Sequence, residues 1–350
     1  MSDLNPKPIT AVGVSRTIIG LNYPWAYNKY GLYFGPHPKE PWMDKWIESF
    51  DNNLQAIKEM GVRLVRIFLL CNGENLGLID PSDPLGQWMF KPASDPAYLI
   101  FRTHLKKMFN AARNNGFKII PSLLDFGVGR PILRDQKRYR VVTDLRQTFL
   151  DRIVTPFVEV GKDFHDVLYA WEVMNEPSWL SARIWPWTGE RGWSAVASES
   201  EINVFLRAVL ERIKTVDPAS KTTVGHRYYD DLKKYATGDI PQFHYYPSWH
   251  DDSSELPDVP SRILLGFENM PILGEIGTNS EHGGPWPGLR YRDSFGTYER
   301  VHERLSAVSR KGYEVVLLWP DEVWDGNEDV DNLKFSGDAR RAIREFICAS

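Results

Sequence analysis

Two cysteines in 350 residues are too few for a disulfide framework. Cys71 ends an apolar run and reads as a buried thiol, and Cys348 sits near the C-terminus. No apolar run approaches the roughly 18 residues of a membrane span, so no membrane partner is expected. Neither sign of charge is in excess. Charged residues are 25% of the chain and the net charge is -4, which argues against a polyanion-binding surface and hence against a nucleic-acid partner. The opening "MSDLNPKPITAVGVS" has no basic start followed by an apolar core, so a cytoplasmic protein is expected, or a secreted one if a leader has been removed. Asn-x-Ser/Thr acceptors are missing too. No Gly-x-Gly-x-x-Gly follows the first strand candidate, which disfavours a dinucleotide site, and no His or Cys spacing suits zinc. The acidic loop "WDGNEDVDN" (324–332) has Val330 where a calcium loop needs Gly and Ser336 where it needs Glu. It reads as a solvated rim, and neither metal nor cofactor is called for.

Aromatic residues, by contrast, are plentiful: 13 Trp, 15 Tyr and 17 Phe. Most should pack the core, and some could offer flat faces to an apolar ligand surface. Short apolar, β-branched runs recur at 17–23, 62–70, 117–125, 167–176, 221–228, 241–247, 271–277 and 314–320. Between them lie amphipathic stretches with helix signals. Residues 44–60 stop on Gly61, residues 95–115 stop before Gly116, and "SESE" (198–201) is a capping box. Helices are also expected over 144–160, 297–311 and 337–348, with weaker patterns near 229–236 and 255–267. Strands that are apolar on both faces, alternating with helices, predict a parallel sheet closed into a (β/α)8 TIM barrel. Residues 1–16 read as a tail and 17–350 as one domain. The long loops all follow the C-terminal ends of strands, where barrels build their sites.

Polar residues at those ends form a coherent set. Arg66 lies on the second strand, Asn175 and Glu176 end the fourth, His226 lies on the fifth, and His244 and Tyr246 on the sixth; Glu275 lies on the seventh and Trp319 ends the eighth. The ends of strands four and seven lie across a barrel mouth from one another, so Glu176 and Glu275 could converge on one ligand. Two converging carboxyl groups in an aromatic cleft are the apparatus of glycosidic bond cleavage. One stays protonated and serves as acid; the other, ionised, attacks the anomeric carbon. Glu172, earlier in the same strand as Glu176, reads as structural, pairing with an arginine in a barrel layer.

This pattern resembles clan A of the glycoside hydrolases, and within it the family 5 enzymes (cellulases, mannanases and relatives). "WEVMNEP" is similar to the fourth-strand motif, which implies Glu176 as acid/base with Asn175 beside it; "PILGEIG" is similar to the seventh-strand motif, which implies Glu275 as nucleophile. The resemblance carries Arg66, His244, Tyr246 and Trp319 with it and covers residues 17–345. It implies a retaining β-glycosidase that acts by double displacement on a saccharide or glycoside and needs no cofactor. Trp25, Trp179 and His226 join the candidate substrate contacts, and Trp185, Trp187 and Trp193, directly after the fourth strand, read equally as a platform for a leaving-group sugar or as a small core of their own loop. One departure stands out. Family 5 members usually carry a histidine two residues after the aspartate ending strand three, and here Gly127 follows Asp125; His226 could fill that space. A catalytically silent saccharide-binding barrel or a transglycosylase would keep both Glu residues. An aldolase would need a strand-end lysine, and none of the strand ends has one.

Overall fold

In the computed structural model of the protein, the described residues are 17–23, 25–26, 29–30, 43–71, 90, 94–129, 137–181, 195–245, 269–277, 298–319 and 337–349. Eight parallel strands close into a barrel in which every strand pairs with its sequence neighbours and the first pairs with the last. They are β1 Ile18–Tyr23, β2 Leu64–Phe68, β3 Lys118–Asp125, β4 Trp171–Asn175, β5 Thr222–His226, β6 Ile240–Tyr245, β7 Ile272–Gly277 and β8 Val315–Trp319. All eight apolar runs of the sequence therefore become barrel strands, with bounds that differ from those of the runs by a few residues.

Around the barrel lie α1 (Met43–Glu59), α2 (Pro96–Asn115), α3 (residues 146–161, with a π turn at Leu150–Val154), α4 (Glu199–Val216), α5 (Tyr298–Arg310) and α6 (Gly337–Ala349). Their ends follow the capping signals. Gly61 and Gly116 take φ of 87° and 74°, the left-handed conformation that stops a helix cheaply only at glycine. Ser198 and Glu201 exchange the reciprocal bonds of a capping box at the start of α4. The 229–236 pattern yields only a 3-10 turn, Tyr229–Lys233; the 255–267 pattern lies outside the described residues. Among the described residues no helix is long and apolar enough to cross a membrane.

Two apolar compartments result. The larger fills the space between helices and the outer barrel wall, and Trp171 on β4 packs there edge-on to Phe109. The smaller gathers Leu64, Ile120, Ile240, Ile272, Val315 and Leu317 from five different strands, and so plugs the lumen. Side chains alternate along a strand, so two residues further up each strand the lumen continues: Leu64 leads to Arg66, Ile120 to Ser122 and Ile240 to Gln242. The lumen thus changes from apolar to polar towards the C-terminal ends of the strands.

Candidate active site

The polar layer is built around Arg66, a fully buried guanidinium. Its Nε and Nη2 donate to the two oxygens of Glu172 at 2.6 Å each, Nη2 also reaches Asn175 Oδ1 at 2.7 Å, and Nη1 donates to Asn22 Oδ1 at 2.9 Å and to Glu275 Oε1 at 2.7 Å. Ser122 and Gln242 complete the shell of Glu172, each donating to it at 2.8 Å. A carboxylate with four donors and a guanidinium facing two carboxylates meet the condition for burying charge. Burial works against the charge on Arg66, yet the ion pairs with Glu172 and Glu275 more than reverse that and hold its pKa above the usual value. Space for this layer comes from two glycines. A Cβ on Gly225 would lie 2.9 Å from both Arg66 and Glu172, and one on Gly274 would lie 2.6 Å from Gln242.

The strands that carry Glu176 and Glu275 both break register. From Glu172 to Asn175, β4 takes three steps while β5 takes two, from Thr223 to Gly225. From Leu273 to Ile276, β7 takes three steps while β8 takes two. One extra residue reverses the alternation and re-aims whatever follows. Asn175 thereby joins Glu172 at Arg66 although the two are three positions apart, an odd step that would otherwise put them on opposite faces. Glu176 follows with φ 46° and ψ 53°, left-handed backbone that costs a non-glycine residue roughly 1–2 kcal/mol. Its N–H is tied to Gly225 O at 2.6 Å, and Pro177 opens a 3-10 turn behind it.

Above the Arg66 layer, three buried side chains converge. His244 Nδ1 lies 2.9 Å from Glu176 Oε1 and 3.5 Å from Glu275 Oε1, and one oxygen of each Glu falls within 4.8 Å of the other. Glu176 Oε2 accepts from Trp179 Nε1 at 2.6 Å. Burial pushes the Glu176 carboxyl above its ordinary pKa; the Trp179 bond and the charges of Arg227 and Arg66 act the other way without cancelling it. His244 is pulled down to about 4, chiefly by burial, so its ring is neutral at pH 7.

Asn175 Nδ2 donates to Asp125 Oδ2 at 2.8 Å, and the other Asp125 oxygen accepts from Gly127 N at 2.6 Å. Asp125 therefore closes on its own turn and on Asn175. Trp319 ends β8 half-exposed, with its ring edge-on to Phe68 at 6.3 Å. His226 corrects one expectation. It does not fill the space beside Gly127: Nε2 bonds Ala236 O at 3.1 Å, and the ring lies against Tyr235. The reason is alternation, because Gly225 occupies the lumen side of β5 and His226 points outward with its register partner Phe243. Trp25 falls in a two-residue strand paired with Tyr30. Tyr246, the tryptophans at 185, 187 and 193, and the acidic loop lie outside the described residues.

Sequence reasoning passed over Asn22, Ser122 and Gln242, although each sits two residues above a lumen-facing neighbour in its strand. It also passed over Arg227, whose guanidinium stacks 3.4 Å from the centre of the Trp179 ring and draws Glu176 towards ionisation.

The eight-stranded parallel barrel has known counterparts among solved structures. The chain has the fold of β-mannanases. The endo-1,4-β-mannanase of Eisenia fetida matches at 18% identity with a TM-score of 0.65, over 94% of this chain and 90% of that one. A β-1,4-D-mannanase of Cryptopygus antarcticus matches at 16% identity and a TM-score of 0.63, over 94% of this chain and 89% of that one. A GH5_18 protein of Streptomyces cattleya, solved with Manβ1-4GlcNAc, matches at 15% identity and a TM-score of 0.58, over 95% of this chain and 80% of that one. No protein-family model and no curated protein sequence matches the chain significantly.

Proposed function

We propose that the protein is a retaining β-glycoside hydrolase in which Glu275 is the nucleophile and Glu176 the acid/base. The observation that carries this reading is the approach of the two carboxyl groups to within 4.8 Å at their nearer oxygens, around one neutral histidine. Retaining enzymes hold their carboxyl groups about 5–5.5 Å apart, whereas inverting enzymes leave about 6.5–9.5 Å for a water. The environments support the division of labour. Glu275 accepts from the Arg66 guanidinium, which favours a carboxylate, while burial shifts Glu176 towards its protonated form.

The reaction runs in two displacements. Glu275 attacks the anomeric carbon as the glycosidic bond breaks, and the departing oxygen takes its proton from Glu176. Glu176, now ionised, removes a proton from water; the hydroxide attacks the same carbon, the ester to Glu275 opens, and Glu176 is again protonated. Asn175 has one amide hydrogen engaged by Asp125 and a second to offer the sugar 2-hydroxyl. Trp319 would provide a floor for the ring, and Tyr246 would donate to Glu275. Because the similar structures are mannanases, β-1,4-linked mannose oligosaccharides and aryl β-mannosides are the substrates we favour, ahead of the corresponding glucosides.

The test is a panel of aryl β-glycosides and short β-linked oligosaccharides, with the product anomer followed by NMR. The expected result is a β product appearing first and its loss in Glu275→Ala. Binding of oligosaccharide without hydrolysis would identify a silent binding barrel, and an initial α product would overturn the double displacement.

A further inference from the structure

We propose that Glu176, His244 and Glu275 form a binding site for one zinc-class divalent cation, which occupies the cleft in competition with a saccharide. The binding claim stands on geometry alone; the competition rests on the glycosidase reading above.

The three residues offer two carboxylate oxygens and one imidazole nitrogen, all within 4.8 Å of one another and all buried. A tetrahedral ion bound at about 2.0–2.1 Å to each ligand spaces its donors roughly 3.4 Å apart. The edges from His244 Nδ1 are 2.9 Å to Glu176 and 3.5 Å to Glu275, one on each side of that spacing. The third edge, between the two carboxylate oxygens, is no longer than 4.8 Å. Three protein ligands with water in the fourth position is the pattern of an open zinc site. A ligand set of one nitrogen and two oxygens suits zinc, cobalt or copper, whereas magnesium and calcium want six or more oxygens.

Charge points the same way. Arg66 donates to Glu172 and Glu275, while Arg227, Arg66 and Asp231 all act on Glu176 through space. With these four carboxylates ionised against the two guanidinium groups, two negative charges are left over, the charge of one dication. Arg66 is the opposing element, since its Nη1 already holds Glu275 Oε1 at 2.7 Å. Its fork onto Glu172 neutralises most of that opposition, so binding should be reversible rather than structural. The ligands come from three strands far apart in sequence, which is why no His or Cys spacing announces them.

The experiment is calorimetric titration of zinc into the full chain carrying Cys348→Ser, so that the exposed thiol contributes nothing. One ion per chain is expected, with magnesium giving no heat. Losing a second-shell partner of a metal costs about 10–100-fold in affinity, so His244→Asn and Glu275→Gln should each weaken zinc at least that much. Asp144→Asn, a surface carboxylate paired with Arg140, should change nothing. On the chain with all three ligands intact, cobalt(II) should give the intense visible absorption of a four-coordinate ion, so the answer does not depend on a variant that folds. A weak six-coordinate spectrum, or equal zinc affinity in His244→Asn that retains native circular dichroism, overturns the site. In kinetics, zinc should raise KM for the aryl glycoside and leave kcat unchanged. Hydrolysis insensitive to zinc sinks the metal site and spares the hydrolase; His244-dependent zinc binding in a protein that cleaves no glycoside does the reverse.

Discussion

Arg66 grips Glu172 through two parallel hydrogen bonds of 2.6 Å and shares its remaining nitrogen between Glu275 and Asn22. Glu172 thus aims the cation that aims Glu275. Removing one member of a buried pair leaves the other charge uncompensated, at a cost of about 3–5 kcal/mol. Glu172→Gln should fall near the lower figure, because the amide keeps one acceptor for the guanidinium and turns its donors against the rest of it. In urea unfolding, the midpoint should drop with an unchanged slope. A loss under about 1 kcal/mol would mean that Asn22, Asn175 and Glu275 hold Arg66 without its partner.

Gly225→Ala tests the same layer from the other side. The added methyl would meet Arg66 Nη2 and Glu172 Oε1 at 2.9 Å, and both are rigid ends of a salt bridge with no room to retreat. Overpacking of this kind costs about 1–3 kcal/mol. The double variant with Glu172→Gln should be less destabilised than the two single losses added together, since a broken fork can move aside.

How far the chain announced itself differs from layer to layer. Strands buried on both faces read as continuous apolar runs, so all eight were legible, and the helices carried their own stops in Gly61, Gly116 and the Ser198 cap. The convergence of Glu176 and Glu275 was legible from topology, and the pairing of Glu172 with an arginine from the cost of burying its charge. The two bulges were not legible, because an inserted residue leaves no mark in composition, only in register. Asn22, Ser122 and Gln242 looked like polar interruptions of apolar strands, and only counting by twos from the lumen plug reveals them. His226 was misjudged because polarity was weighed ahead of alternation: Gly225 beside it had already taken the inward position.

The acid role of Glu176 can be isolated through the leaving group. General acid catalysis contributes about 100- to 10,000-fold, but only where the departing oxygen needs a proton. Glu176→Gln should therefore lose activity in that range on an oligosaccharide, and far less for the first displacement on a dinitrophenyl glycoside, whose phenolate leaves unaided. Pre-steady-state release of the phenolate, followed by slow turnover, is the expected trace. Equal losses on both substrates would assign Glu176 a purely structural part.

Trp179 sets the pH at which that acid works. Its Nε1 donates to Glu176 Oε2 at 2.6 Å, a bond that favours the ionised form and opposes the rise caused by burial. Trp179→Phe keeps an aromatic face for Arg227 and deletes the donor. The Glu176 pKa should rise further, carrying the alkaline limb of kcat/KM to higher pH. A limb that stays put, or moves down, would mean that the limb titrates some other group.

His226 makes a prediction about stability that is independent of catalysis. Burial holds its pKa near 3 against 6.5 for a free histidine, and Nε2 is committed to the Ala236 carbonyl. Below pH 6.5 the unfolded chain binds a proton here that the folded chain refuses until about pH 3. Stability from this residue is therefore complete above pH 6.5 and declines as pH falls, with a slope approaching about 1.4 kcal/mol per pH unit. His244, held near 4, adds a second decline of the same sign over a narrower window. His226→Gln can still donate to the carbonyl but cannot titrate. Compared at pH 7 and pH 5 by urea unfolding, the wild type should lose more stability than the variant, by about one proton's worth over most of the interval. Parallel losses in the two chains would mean that the imidazole charges inside the fold as readily as it does in water.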